Sequence, residues 1–292
     1  MIVVGIDENG LAPRLGMFCV TAVAFRCKKY TPQSFWKEFE NLRIVDSKLM
    51  ISSGKTRKGK FAVLEFLRIY KNFVPKSWNE FLSEVSFSKL DDLRKNCGQK
   101  NFCWIYDEEI NFKTEKSRVL SKKKFLDVKV NFVCPKIFNS AIKRTDNKLA
   151  FEIEILEKFF KFFLNRYREK ILFLCGKIGG TKKYEKFFKF LSSFKILEKK
   201  EREDSIYVFK NFEVRFIKSA EGKHFPIALA SVFGKVVREI FIERMNKFFQ
   251  QHLPNLPFAS GYHDRNTSRF IKEALLVLKN EGIPEDCFLR KK

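Results

Sequence analysis

The sequence predicts an α/β fold, and three observations predict it. Short segments rich in β-branched and aromatic residues recur along the chain, at residues 2–7, 17–25, 128–134 and 170–175. Stretches with helical periodicity lie between and after them, most clearly at 147–168 and 226–251. A chain of 292 residues is also long enough to bury a sizeable core without covalent staples. The seven cysteines agree with this, being odd in number and lacking any Cys-x-x-Cys pair, so neither a disulfide framework nor a zinc site is signalled.

Residues 2–7 read as a buried strand and 17–25 as its neighbour, joined by a turn around Gly10 and Pro13. So short a link predicts an antiparallel hairpin, with Asp7 and Glu8 at a strand end, where α/β sheets expose chemistry. A short amphipathic helix follows at 35–42, then Val45-Asp46-Ser47-Lys48 and a basic turn, which completes a first part at 1–60. Residues 61–124 read as a mainly helical, polar insertion. Residues 125–292 resume the main domain. They hold a strand at 128–134, a helix at 147–168, a core strand ending at Cys175, a helix at 184–194 and strands at 206–209 and 212–217. A long helix at 226–251 carries Ser231, Lys235 and Arg238 at spacings of four and three, which places them on one face.

With 58 Lys and Arg against 34 Asp and Glu, the formal charge is +24, which favours a polyanionic partner, nucleic acid first. A lysine-rich composition of genomic origin gives the same number, and the 35 Phe fit that bias, so charge permits the inference without proving it. The chain begins without a basic, apolar leader and contains no apolar run of membrane-spanning length. A cytoplasmic monomer with no membrane partner is the expectation.

Four ordered blocks carry a resemblance. They are Gly5-Ile6-Asp7-Glu8-Asn9-Gly10 with Gly16; Asp46-Ser47-Lys48; Glu221 leading into Ala230-Ser231 with Lys235 and Arg238; and Gly261-Tyr262. Together they resemble the type 2 branch of the ribonucleases H, related to ribonucleases HII and HIII. Gly179-Gly180, Tyr207 and Phe138-Asn139 add a likeness to a little-characterised bacterial branch. The resemblance implies a ribonuclease H-like fold: a mixed central sheet flanked by helices, with the helical insertion.

It also implies an endonuclease that cuts the RNA strand of RNA/DNA hybrids with two ions of Mg²⁺ or Mn²⁺, held by clustered carboxylates because hard cations take oxygen ligands. By resemblance Asp7, Glu8 and Glu221 are the catalytic ligands. Lys48, Ser231, Lys235, Arg238 and Tyr262 are the nucleic-acid contacts. Asp264 is either a further ligand or the cap of the helix that follows it.

Two departures stand out. Cys175 occupies the place of the family's third acid, and a neutral thiol is a poor partner for Mg²⁺. Gly10-Leu11-Ala12 replaces the Gly-Arg-Gly whose backbone reads the 2′-hydroxyl in the type 2 enzymes. The alternative reading is therefore an impaired homologue that binds structured nucleic acid without cutting it.

Overall fold

Ile2, Val3, Val4 and Ile6 are all buried, so the first strand is covered on both faces and must be central. In the computed structural model, which describes residues 1–42, 44, 47–51, 56–90, 93, 106–111 and 124–291 (without the side chains of 41, 48 and 49), it is an interior strand, third in a seven-stranded sheet. The strands are β1 Ile2–Asn9, β2 Phe18–Arg26, β3 Lys124–Val133, β4 Ile171–Gly176, β5 Glu198–Glu201, β6 Ser205–Val208 and β7 Phe212–Ile217. Their spatial order is β3-β2-β1-β4-β7-β6-β5. β4 runs parallel to β1 and to β7, while the other pairs are antiparallel, so the sheet is mixed as expected. The predicted hairpin is present, with Asp7 opposite Thr21.

The helices are α1 Pro32–Glu38, α2 Ser47–Met50, α3 Arg57–Lys71, α4 Trp78–Val85, α5 Pro135–Thr145, α6 Lys148–Arg166, α7 Ala220–Lys223, α8 Phe225–His252, α9 Arg265–Asn280 and α10 Glu285–Phe288. One face of the sheet, through Val3, Val23, Leu172 and Leu174, packs on α3, α4 and the first half of α8. The other face, through Val4, Ile6, Phe173 and Cys175, packs on α5 and α6. A third cluster joins the end of α8 to α9 and α10 through Ile242, Phe249, Phe270 and Phe288. The described helices of the expected insertion, α3 and α4, contribute Phe66, Leu67, Phe81 and Leu82 to the first of these cores instead of building a core of their own.

α8 lies so close to β1 that a Cβ at Gly5 would stand 2.2 Å from the Pro226 carbonyl carbon. Only glycine permits that approach. The helix predicted at 184–194 is corrected to two single 3₁₀ turns, Glu185–Phe187 and Leu191–Ser193. The buried Glu157 carboxylate accepts the backbone N–H groups of Lys189, Phe190 and Leu191, which an α-helix would have used internally.

Candidate active site and nucleic-acid face

Successive residues of a strand point to opposite faces, so Asp7 turns toward α8 and Glu8 toward α6. The two meet again at the strand end, beside the end of the parallel strand β4. A Cβ on Gly176 would lie 3.0 Å from Asp7 Oδ1 and 3.6 Å from Glu8 Oε2, so this glycine leaves room where the carboxylates gather. Glu221, in α7 just before α8, completes the group. Ser231 Oγ donates to Ser47 Oγ (3.0 Å) and Ser47 Oγ donates to Glu221 Oε2 (3.2 Å). Asn9 Nδ2 donates to Ser231 (3.4 Å), and Lys235 Nζ donates to the Ser47 carbonyl (3.3 Å). Ser231 is thus a buried hub that fixes the acidic side chains.

Burial first, then the charges of Glu8 and Glu221, hold the Asp7 carboxyl well above the ordinary carboxylate range, and the Ser231 hydroxyl offsets this in part. Glu8 is raised by burial and then by the charges of Glu152 and Glu221. Asp7 Oδ2 is buried without a hydrogen-bond partner among the described residues. Among the described residues no three His, Cys, Asp or Glu side chains stand close enough together to hold one metal ion.

No protein-family model matches this sequence, and no curated protein matches it either. Solved structures do. Ribonuclease H2 from Pyrococcus horikoshii OT3 aligns over 99% of this chain and 92% of its own, with a TM-score of 0.51 and 16% identity. Bst-RNase HIII in complex with Mn²⁺ aligns over 99% of this chain and 66% of its own, with a TM-score of 0.52 and 12% identity. The chain has the ribonuclease H fold, in the form of ribonucleases HII and HIII.

On this ribonuclease H fold the expected site residues fall into two groups. Asp7, Glu8 and Glu221 come together, with Ser231 and Lys235 behind them. Asp264 is the N-cap of α9: its carboxylate accepts from Thr267 N (2.7 Å), Thr267 Oγ1 (2.9 Å) and Ser260 Oγ (2.5 Å). Burial works against its ionised form, but these hydrogen bonds keep its pKa below the usual value. The side chain of Lys48 and all of Asp46 lie outside the described residues.

Arg238 does not form part of an exposed basic stripe. It is 1% exposed, pairs with Glu239 (2.6 Å), donates to the Ser260 carbonyl (2.9 Å) and lies 4.9 Å from the centre of the Tyr262 ring. Tyr262 itself is exposed beside it.

Two further charged residues were not singled out by the sequence. Arg290, near the C-terminus, donates to the Gly10 carbonyl and keeps Nε and Nη2 buried without partners among the described residues. Burial and the nearby Arg238 charge bring its pKa down to about 10. It lines a pocket of about 440 Å³ with Leu11, Arg14, Lys148, His263 and Lys291, a basic recess beside the turn that follows β1. Glu152 of α6 is fully buried near Asp7 and Glu8. A glutamate within an otherwise apolar helix stripe, with Ile155, Leu156 and Phe159, was the available signal for it.

His224, between α7 and α8, shares a 2.7 Å hydrogen bond with Tyr30 Oη and is nearly buried. Burial, then the positive charges of Arg215 and Lys223, lower its pKa to about 4 from 6.5. The unfolded chain therefore binds more protons between these values, and stability falls as pH drops from about 6.5 toward 4. The loss reaches on the order of 3 kcal/mol, at 1.36 kcal/mol per pKa unit. Chemical denaturation at pH 7 and pH 4.5 should show a smaller difference for His224→Gln than for wild type. An equal difference would remove His224 from the acid sensitivity.

Proposed function

We propose that this protein is a ribonuclease H type 2-like endonuclease that hydrolyses the RNA strand of RNA/DNA hybrids with two divalent ions, Mg²⁺ or Mn²⁺. The observation that carries this reading is the gathering of Asp7, Glu8 and Glu221 around the ends of β1 and β4, tied through Ser47 and Ser231. Holding like charges together in a buried place costs stability unless a cation neutralises them. The donor set fits such a cation, since it offers carboxylate oxygens suited to hard divalent ions and one of them, Asp7 Oδ2, is buried with no protein partner among the described residues.

Asp7, Glu8 and Glu221 would hold the ions, which when bound supply Lewis acidity at the scissile phosphate and activate the attacking water. The chain's own groups do the rest. Ser231 and Ser47 orient the acids. Tyr262, braced by Arg238, presents an aromatic face to the sugar beside the cut. Lys48, Lys235 and the basic recess of Arg14, Lys148 and Lys291 meet the phosphate backbone. With Leu11 and Ala12 in the turn, discrimination of RNA rests on the A-like groove and the 2′-hydroxyls along the strand.

The test is a panel of labelled RNA/DNA hybrid, duplex RNA, duplex DNA and branched DNA with Mg²⁺ or Mn²⁺. Cutting confined to the RNA strand of the hybrid is the expected result. Cutting of branched DNA instead would replace the substrate. The second reading, a binder that does not cut, is favoured by Cys175, whose buried thiol stays protonated. It predicts hybrid binding with no cleavage in either metal.

A further inference from the structure

Helix α6 carries three glutamates that meet burial in three ways. Glu154 pairs with Arg144 (2.6 Å) and with Lys189. Glu157 is 5% exposed, but its carboxylate accepts backbone N–H groups at 2.9–3.1 Å from Lys189, Phe190 and Leu191. Glu152 has neither solution. It is 0% exposed, and both of its carboxylate oxygens lack a hydrogen-bond partner among the described residues.

Burying a carboxylate with nothing to answer it is among the more expensive things a fold can do. The same helix satisfies its other buried acid completely, so the omission is local to Glu152. What surrounds Glu152 is the end of the sheet face that carries Cys175 and Glu8. Phe151, Ile153, Ile155 and Leu156 share their core cluster with Ile6 and Cys175, which face each other across β1 and β4. Glu152 is close enough that Glu8 and the Cys175 thiol respond to its charge, and that it responds to the charge of Asp7.

We propose that Glu152 is the fourth acidic ligand of the metal site, delivered from α6 to the place that Cys175 leaves without a carboxylate at the end of β4. The inference rests on the nuclease reading of Asp7, Glu8 and Glu221. It explains why a chain with a thiol at the end of β4 keeps the other three acids. Glu152 approaches from the α6 face of the sheet and Asp7 from the α8 face, so the acids bracket the ends of β1 and β4 from both sides. A bound divalent ion is then the missing partner of the two orphaned Glu152 oxygens.

The experiment is Mn²⁺ binding to the metal-free full-length protein, read by calorimetry and by loss of the free-ion electron paramagnetic resonance signal. Wild type is compared with Asp7→Asn, Glu152→Gln and the double variant Glu152→Gln/Cys175→Asp, each checked by thermal melting. Glu152→Gln is expected to weaken Mn²⁺ binding by roughly 10- to 100-fold or more, since even outer partners of a metal site are worth that much. It should also melt no lower than wild type when metal-free. The double variant, which returns an acid to the end of β4, should recover most of the affinity and so excludes misfolding as the cause of the loss. If Glu152→Gln binds Mn²⁺ like wild type while Asp7→Asn does not, the inference is overturned and the nuclease reading stands. If Asp7→Asn also binds like wild type, the site reading itself fails and takes this inference with it.

Discussion

Asp7→Asn should abolish cleavage of an RNA/DNA hybrid while leaving the metal-free protein at least as stable as wild type. The two halves of this expectation have one cause. Asp7 is 7% exposed and surrounded by acids, and burial together with Glu8 and Glu221 holds its carboxyl well above the ordinary range. Its negative charge is thus a burden on the folded chain, which the neutral amide removes while keeping shape and hydrogen-bonding capacity. The charge is useful only when a divalent ion shares it. Transition-state stabilisation by such an ion is worth several kcal/mol, so losing its central ligand should cost roughly 10³-fold or more in rate. Single-turnover cleavage measures the rate, and melting in the presence of a chelator measures the stability. Cleavage by Asp7→Asn within tenfold of wild type would remove Asp7 from the chemistry. A melting point well below wild type would mean that its carboxylate is a structural element.

Much of this site was legible because the residues that build it are constrained by rules of short range. The run from Ile2 to Ile6 is apolar at every position except Gly5, and it is followed at once by two acids, so a central strand ending in paired carboxylates was readable. The long helix α8 was equally readable, with Pro226 near its start and 22 of its 28 residues buried, although that burial also means its basic positions do not form the solvent-facing stripe that spacing alone predicted. What failed was decided at a distance. The 184–194 segment has the aromatic spacing of a helix, yet Glu157, about 30 residues earlier in the chain, captures the backbone groups that a helix needs. Strand β5 is Glu-Lys-Lys-Glu, an edge strand held by backbone pairing to β6 with no apolar alternation to announce it. Glu152 lay between these cases. Its position on the buried stripe of α6 was visible in the sequence, but its proximity to the ends of β1 and β4 depends on how α6 crosses the sheet.

Among the described glycines, Gly5→Ala should then be the most damaging addition of a single methyl group. The added carbon would stand 2.2 Å from the Pro226 carbonyl carbon, 2.5 Å from its oxygen and 2.6 Å from Ile227 N, all of them backbone atoms that cannot rotate away. Either β1 or the start of α8 must move, and overpacking of this kind costs about 3 kcal/mol or more. For a chain of this size that lowers the melting temperature by roughly 6–12 °C. Gly180→Ala, with nothing within 4 Å of the added carbon, is the control and should melt within a degree or two of wild type. The consequence for function follows from what α8 carries. Ser231, five residues beyond Pro226 near the start of the helix, connects Asn9 to Ser47 and through it to Glu221, so a helix pushed off β1 separates the α8 side of the site from Asp7. The folded fraction of Gly5→Ala should bind Mn²⁺ more weakly than wild type although no acid has changed. Unaltered Mn²⁺ affinity in that variant would mean that the close approach of α8 serves packing alone and that the acids are placed by β1 without it.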